Sequence, residues 1–411
     1  MRDTGGAALM GWAVTVYLVP GIVSGSLAAA LKQRLGARLV LLLCGLMFLA
    51  GTLVAAGAPS MPVILLGRAM QGAGDGAIAA LCYALVPALF PPGLIARVFG
   101  VEAMVWAASA FGAPLASGWL TELVSWRAAF LANLPMIAGF LLLIGRVAPR
   151  GGGEGPAPVP LARLSMLAAG IMLVAVTDIL GGVGARLALL VAAGLLLAGT
   201  VLADRRHADP LFPRDMLRLG TKLGTCFWIV LLMPLGQAVV GVYLALGLQR
   251  VWHLGPGWAG SLVTVMSLSW SAAGLAVAGT RRARLSLARF GPAMNAAGLL
   301  CLCLAFSTHL LALVPAGQLL IGTGFGLCWA WLSEAVIEAA PPGERDRASA
   351  MLPTVQSAGY AIGAAVAGLV GNVAGLPHLL EAGAPVAGPM IRVFAAGALL
   401  ATGAVLVRLR I

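Results

Sequence analysis

The feature that most constrains the fold of this chain is a succession of long apolar runs separated by short charged segments. A helix needs about 20 predominantly apolar residues to cross a bilayer core about 30 Å thick. Thirteen runs approach or exceed that length, with approximate limits 8–30, 39–57, 61–89, 98–121, 126–146, 162–182, 185–203, 223–246, 257–279, 290–307, 311–338, 349–374 and 390–408. The sequence therefore predicts an all-α polytopic membrane protein with about 13 transmembrane helices.

Composition excludes the other broad classes of protein. Of the 411 residues, 61% are hydrophobic and 10% are charged, whereas an average soluble domain is about 25% charged. So few charges cannot cover so much apolar surface, which excludes a soluble enzyme, and disordered chains are poor in apolar residues. The net charge of +12 does not indicate nucleic acid, because the basic residues lie in short clusters between apolar runs. We expect the lipid bilayer, and no nucleic acid, as a partner.

Residues that bind metals or carry out covalent chemistry form no recognisable group in the sequence. All six cysteines lie inside apolar runs, and the four histidines are scattered in or beside loops. No Cys/His spacing is typical of a metal site, and no phosphate-binding Walker motif is present. The sequence therefore predicts no metal, no cofactor and no enzymatic activity.

The basic residues between the runs predict the orientation of the chain in the membrane. Cytoplasmic loops carry an excess of Lys and Arg. One set of alternate loops between the thirteen runs holds 20 Lys and Arg and the other holds 5, with Arg68 left inside a run. This asymmetry predicts a cytoplasmic C-terminus and an N-terminus on the outer side of the membrane.

An internal repeat predicts two related bundles. The segment 91–93 reads Pro-Pro-Gly and is followed by Arg97; 250 residues later, 341–343 reads the same and is followed by Arg347. Each copy lies in a basic loop that opens a new run, and two runs follow each copy within its half of the chain. Such repeats are typical of secondary transporters whose halves rock about a central site.

The repeat and the number of runs predict three regions. An N-terminal helical bundle with five runs covers 1–146, a linker with an extra two-helix hairpin covers 147–215, and a C-terminal six-helix bundle covers 216–411. The Gly/Pro-rich stretch 151–158 introduces the hairpin. Since two related bundles should have equal numbers of helices, the arrangement predicts that one helix is absent before residue 8, through a late start site or a truncation.

Four motifs give the sequence a resemblance to a known family. Trp12 and Tyr17 form Trp-x4-Tyr, 68–74 reads Arg-Ala-Met-Gln-Gly-Ala-Gly, 126–135 carries Trp-Arg-x2-Phe-x2-Asn-x-Pro, and 341–345 reads Pro-Pro-Gly-Glu-Arg. In this order they resemble the major facilitator superfamily, and in particular its fourteen-span drug:proton antiporter branch. The resemblance implies a monomeric transporter of the bacterial inner membrane that exports small amphipathic compounds in exchange for protons by alternating access.

Two of the family's motifs are incomplete in this chain. The cytoplasmic loop motif keeps Arg34, Gly36 and Arg38, but an amide stands where the family has its acid. In the antiporter motif of the family's fifth span, Pro114 and Gly118 remain, while the repeated Gly-Pro and Gly-Gly pairs do not. The alternative to a working exporter is therefore a truncated, non-transporting membrane remnant or scaffold of the same fold.

Two charged residues lie deep inside one apolar run, where a charge costs about 2.5–3.5 kcal/mol on insertion scales. Arg68 lies about seven residues into the run 61–89. Asp75 follows seven residues later, about 10 Å along the axis and on nearly the same helix face. We expect Arg68 to bind an anionic group or tune a carboxylate and Asp75 to exchange a proton, unless both are structural partners of neighbouring helices.

Further candidates come from polar and aromatic residues in the other runs. Glu334 lies one turn before Glu338 and could contact the basic loops as part of a cytoplasmic gate, or reach water instead. Gln71 and Gln237 are amides able to bind a substrate in a central cavity or to bond another helix. Trp106 and Trp329 lie deep enough in their runs to line an aromatic pocket.

Glycine and proline inside the runs predict how the helices pack. Gly72 and Gly76, like Gly322 and Gly326, place small residues one turn apart, so that two helices can approach closely. Pro114 removes a backbone hydrogen bond and allows its helix to bend. Such contacts suit the rocking of two bundles, and ordinary membrane packing would use them equally.

Overall fold

The computed structural model describes residues 6, 9–148, 161–177, 183–205, 207, 210, 212–278, 289–341 and 344–408, which form fifteen helices and no strand. The helices are α1 Met10–Leu35, α2 Ala37–Ala56, α3 Met61–Leu89, α4 Pro92–Leu123, α5 Trp126–Leu131, α6 Leu134–Val147, α7 Leu161–Val176, α8 Val183–Asp204, α9 Lys222–Val251, α10 Pro256–Ala278, α11 Gly291–Thr308, α12 Leu313–Ala339, α13 Arg345–Val373, α14 Leu376–Glu381 and α15 Ala387–Arg408. The prediction of an all-α chain is confirmed.

The helices follow the predicted apolar runs with two differences. Among the described residues, ten helical stretches are long and apolar enough to cross a membrane. The thirteen predicted transmembrane helices are these ten together with α3, α4 and the shorter α7. The run 126–146 is divided between α5 and α6, because Pro135 follows the break and has no backbone N–H to continue the hydrogen bonding of α5. The short helix α14 lies between two runs, in a segment that hydropathy leaves as a loop.

Close contact between α1 and α3 organises the N-terminal helices. Gly21 and Gly25 of α1 lie against Gly72 and Gly76 of α3, and a Cβ atom added to Gly72 would overlap the carbonyl oxygen of Tyr17. Glycine therefore allows the two backbones to come this near. Helix α2 packs beside α3 as well, so that the three helices form one group.

The C-terminal helices share one large core. Helix α9 lies at its centre, with 20 of its 30 residues buried. Phe306 of α11 stacks on Phe394 of α15 with ring centroids 5.1 Å apart. Helices α10 and α12 approach closely where Gly322 and Gly326 lie against the backbone of α10. This half of the chain therefore has an apolar core of its own.

The hairpin of α7 and α8 packs across the line where α1 meets α13. Trp12 Nε1 of α1 donates a hydrogen bond to the carbonyl oxygen of Ala175 at 3.0 Å. Ile171 of α7 is buried in one apolar cluster with Val19 of α1 and Ala361 of α13. The hairpin therefore contacts helices of both halves of the chain.

The base of the hairpin is tied to the C-terminal core. Arg163 near the start of α7 forms an ion pair with Asp204 at the end of α8, whose side chain is fully buried. The second oxygen of this carboxylate accepts a hydrogen bond from the backbone N–H of Phe212 at 2.8 Å, and Phe212 packs in the C-terminal core. Because both oxygens of the buried carboxylate have partners, it holds the three segments together.

Contacts between helix ends define two faces of the molecule. Arg127 Nη2 at the start of α5 donates to the carbonyl oxygen of Ala58, in the α2–α3 turn, at 3.1 Å. Gly6, just before α1, lies beside Met61 at the start of α3. Helices α1, α3 and α5 therefore begin on the same side, which we call the first face. The opposite side, where Gly36 joins α1 to α2, is the second face.

The two halves meet along two seams near the first face. In the α1–α13 seam, Thr15 Oγ1 donates to the carbonyl oxygen of Ala361 at 3.0 Å, and Gly11 lies against Ala364. In the α4–α10 seam, Gly118 lies against the start of α10. Each of these contacts falls in the part of its helix nearer the first face, so the halves are joined on that side.

Replacing Gly72 by Ala is expected to lower the melting temperature of the purified protein by several degrees. The added methyl group has no space between α1 and α3, and overpacking typically costs about 1–3 kcal/mol. Gly112→Ala is the matched control, because a Cβ atom at Gly112 meets no other atom within 4 Å. Thermal unfolding followed by fluorescence-detected size exclusion measures both variants, and equal melting temperatures would contradict the close α1–α3 crossing.

Candidate functional site

Arg68 lies at the centre of a polar cluster formed by α1, α2 and α3. Its guanidinium group donates through Nη1 to Gln71 Oε1 at 3.1 Å and through Nε to the carbonyl oxygen of Ala13 at 3.3 Å. The same group lies over the ring of Tyr17, with its central carbon 4.0 Å from the ring centroid. These contacts stabilise a cation that is costly at this depth of a membrane helix.

Gln71 is held from the other side by α2. Its side chain is buried, and its Nε2 donates to Thr52 Oγ1 at 2.9 Å. The Thr52 hydroxyl donates in turn to the carbonyl oxygen of Phe48 at 2.9 Å. Because the amide nitrogen is bonded to Thr52, the amide oxygen is directed at Arg68. Nothing in the sequence distinguishes Thr52 from other hydroxyl residues in apolar runs, so sequence reasoning missed it.

Tyr17 connects Arg68 to Asp75. Its hydroxyl donates to Asp75 Oδ2 at 2.7 Å, while its ring lies against the Arg68 guanidinium. The two charged residues are seven positions apart on α3, and Tyr17 reaches from α1 to join them. The predicted pair is therefore brought into one cluster through a residue that the sequence marked only as part of a motif.

The cluster runs from a buried end to an open end. Thr52 and Gln71 are buried, Arg68 and Tyr17 are partly exposed, and Asp75 is exposed near the middle of α3. The open end of the cluster therefore presents a carboxylate, with a cation over the face of the Tyr17 ring, and the arrangement is chemically suited to binding a charged ligand.

Gln237 lies apart from the Arg68 cluster, in the C-terminal half. It is 5% exposed on α9, and its Nε2 contacts Met266 Sδ of α10 at 3.2 Å. An aromatic group lies between α10 and α12: Trp270 stacks on Phe325 with ring centroids 4.8 Å apart and lies 6.4 Å from Trp329. Trp270 and Trp329 are both partly exposed.

The two acids near the end of α12 have different surroundings. Glu338 forms an ion pair with Lys222 at the start of α9, with 3.7 Å between Nζ and Oε2 and about half of each side chain exposed. Glu334, one turn earlier, is partly buried. The Glu338 ion pair joins α12 to α9, two helices of the same half.

The residues of the cytoplasmic loop motif shape the second face. Gly36 is the single residue between α1 and α2 and has φ +82°, a backbone conformation that favours glycine. Arg38 Nη2 donates to the carbonyl oxygen of Gly145 near the end of α6, whereas Arg34 is exposed. The motif therefore fixes the tight α1–α2 connection and ties α2 to α6.

Known proteins resemble this chain over most of its length. Residues 1–203 match the family model described as Major Facilitator Superfamily. A protein of Mycobacterium tuberculosis (strain ATCC 25618 / H37Rv) named "Probable multidrug-efflux transporter" is 31% identical, over 91% of this chain and 82% of its own. A puromycin resistance protein of Streptomyces alboniger is 28% identical, over 90% of this chain and 76% of its own.

Solved structures of transporters share the fold. A peptide transporter crystallised with alafosfalin has a TM-score of 0.65 at 17% sequence identity, over 98% of this chain and 86% of that chain. The nucleoside transporter NupG has a TM-score of 0.62 at 13% identity, over 97% of this chain and 90% of that chain. At these identities the likeness shows the fold alone.

The apolar helices and their arrangement define a multi-pass membrane transporter rather than an enzyme. The chain belongs to the major facilitator superfamily of secondary transporters. The family resemblance that the four sequence motifs indicated is confirmed.

Replacing Arg68 by Lys is expected to reduce transport at least about tenfold, because Lys keeps the charge but loses the planar group that bonds Gln71 and Ala13 together. Membrane insertion should be unchanged. Efflux of a fluorescent dye from cells, normalised to the amount of inserted protein, measures the effect. The control is Arg392→Lys, at an exposed position near the start of α15; equal efflux by the two variants would show that the guanidinium contacts are dispensable.

Proposed function

We propose that this chain is a proton-coupled exporter of small amphipathic compounds that works by alternating access, as a monomer in the plasma membrane of a bacterium. The observation that carries the proposal is the exposed carboxylate of Asp75, bonded to Tyr17 near the middle of α3. The names of the relatives, which refer to multidrug efflux and to puromycin resistance, support export as the direction of transport.

The Arg68 cluster supplies a way to couple a proton to a substrate. When Asp75 is ionised, its carboxylate accepts the Tyr17 hydroxyl proton in a hydrogen bond and offsets the charge of Arg68 across the tyrosine ring. Protonation removes that negative charge, so the same carboxylate no longer attracts a cationic or donor-bearing substrate. Proton and substrate thus compete for Asp75, and competition of this kind exchanges one for the other.

The aromatic group of Trp270, Phe325 and Trp329 suits the apolar part of such a substrate. The two partly exposed tryptophans lie in the middle of α10 and the second half of α12, on the C-terminal half of the chain. Aromatic faces bind flat apolar groups through stacking. A compound with aromatic rings and a positive charge therefore suits both groups, with its rings on the aromatic residues and its charge at Asp75.

The two seams support alternating access as the mechanism. The rocking units are the predicted bundles 1–146 and 216–411, with the hairpin of 147–215 attached to both. The excess of Lys and Arg in alternate loops, 20 against 5, assigns the first face to the outside. Contacts along both seams then correspond to a state closed to the outside, from which transport requires that side of the molecule to open.

Asp75→Asn is expected to abolish proton-driven efflux and to leave membrane insertion intact. The amide has nearly the same size as the carboxylate and can still accept a hydrogen bond from Tyr17, but it cannot carry a proton. The measurement is dye efflux in proteoliposomes under an imposed pH gradient.

Asp215→Asn serves as the matched control, because Asp215 lies outside the helices and pairs with Arg218 on the surface. Its efflux should equal that of the unmodified chain. Unchanged pH-driven efflux in Asp75→Asn would remove Asp75 from the coupling mechanism, and loss of efflux in both variants would show that the assay does not report on this carboxylate.

The charge asymmetry predicts that a fluorescent protein fused after Ile411 lies in the cytoplasm. Such a fusion should fluoresce, while alkaline phosphatase at the same position should be inactive, because each reporter works in only one compartment. The reverse pattern would assign the first face to the cytoplasm and would invert the state described above.

The second candidate function is a non-transporting scaffold of the same fold. It is favoured by Gln33, an exposed amide at the second face where the family's loop motif carries an acid. Reconstitution of the unmodified chain distinguishes the two functions. Efflux of any member of a dye panel under a pH gradient supports the exporter, whereas correctly inserted protein that moves none of the dyes supports the scaffold.

A further inference from the structure

The two seams on the first face are built from different contacts. The α1–α13 seam is covered by the hairpin, whose residues Ile171 and Ala175 pack on it. The carbonyl oxygen of Ala175 also accepts a hydrogen bond from Trp12. The α4–α10 seam is closed by direct contact of its two helices. The forces that resist opening on the outer side are therefore different at the two edges of the molecule.

Glu122, near the end of α4, reaches across the α4–α10 seam. Its Oε2 accepts a hydrogen bond from the backbone N–H of Gly257 at 2.6 Å. Gly257 lies in the first turn of α10, where backbone N–H groups lack partners within the helix and the helix dipole favours a negative charge. A carboxylate of the N-terminal half thus caps a helix of the C-terminal half.

Glycines just before and within the start of α10 make room for this carboxylate. A Cβ atom added to Gly255 would lie 2.6 Å from Glu122 Oε2, and one added to Gly257 would lie 2.8 Å from the same atom. One turn further along α10, a Cβ atom on Gly260 would overlap the carbonyl oxygen of Pro114. A side chain at Gly260 would press on the backbone of α4, and one at Gly255 or Gly257 would displace the side chains of α4, so the seam is shaped to admit Glu122.

An aromatic pair lies beside the same contact. Trp119 of α4 and Trp258 of α10 have ring centroids 6.2 Å apart, and the Trp119 ring also lies against Gly257. The pair adds apolar contact across the seam but carries no charge. Glu122 therefore supplies a charge-assisted hydrogen bond that fixes the position of α4 against the start of α10.

We propose that Glu122 is the latch of the outer gate: its hydrogen bond to the start of α10 holds the α4–α10 seam closed, while the α1–α13 seam, braced by the hairpin, stays joined as the hinge. The inference rests on the proposed alternating-access mechanism. Glu122 is a positioning residue, since it acts on the seam. Weakening its bond shifts the population towards a form that is open between α4 and α10.

Thiol accessibility in lipid nanodiscs, where both faces are open to solution, tests the latch. Thr264 of α10 is 2% exposed and its Oγ1 lies 3.4 Å from the carbonyl oxygen of Phe111 of α4, whereas Ala361 of α13 is fully buried against α1. Thr264→Cys and Ala361→Cys are made separately in a chain in which the exposed Cys82 is changed to Ser. The rate of modification by a charged maleimide is measured with and without Glu122→Gln.

We expect Glu122→Gln to raise the rate at Thr264→Cys at least about tenfold, because a charge-assisted hydrogen bond is lost, and to leave the rate at Ala361→Cys unchanged. Glu381→Gln, which alters an exposed carboxylate on α14, should leave both rates unchanged. Equal acceleration at the two cysteines would indicate general loosening and overturn the proposal. It would also be overturned by an unchanged rate at Thr264→Cys.

This experiment separates the latch from the proposed function, since thiol modification needs neither a substrate nor a proton gradient. If the Thr264→Cys rate rises as expected while Asp75→Asn still exports dye, the latch holds and the proton pathway is wrong. If Asp75→Asn loses efflux while the Thr264→Cys rate is unchanged, the exporter stands without this latch.

Discussion

The need to satisfy a cation inside a membrane helix organises the N-terminal half of this transporter. Arg68 takes a carbonyl oxygen and an aromatic face from α1, and an amide oxygen that α2 holds in place through Thr52. Because α1 supplies partners directly and α2 positions the amide of Gln71, the charge is tolerated only while α1, α2 and α3 keep a fixed relation. That relation depends on the glycine crossing at Gly72 and Gly76, so the polar cluster and the small-residue contact form a single constraint.

Most of the fold can be predicted from the sequence, because a membrane leaves a chain few choices. Apolar runs of the right length predicted the helices, and ordered motifs predicted the family. The break between α5 and α6 was not predicted, because hydropathy is continuous across it. The cause of the break is the missing backbone N–H of Pro135, which hydropathy does not register. Helix α14 was missed because six residues are too few to show a period.

The candidate site could be predicted only in part. Arg68 and Asp75 were found because a charge in an apolar run is easily recognised. Tyr17 and Thr52 belong to the site because α1 and α2 cross α3 where they do. The spacing of residues along one helix carries no information about such crossings. The same limit applies to Gln237, whose contact with Met266 of α10 comes from the packing of α9 on α10, and it explains why no sequence signal marked Glu122.

The hairpin makes the two seams mechanically different, because it packs on the α1–α13 seam. Helix α7 packs on α1 and α13 together, and its base is fixed to the C-terminal core by the buried Asp204 carboxylate. Bodies joined along one edge separate by rotation about that edge, so their distance grows with displacement from it. In the proposed mechanism the outer opening is consequently wedge-shaped rather than circular, with its wide end next to α4 and α10 and far from α7.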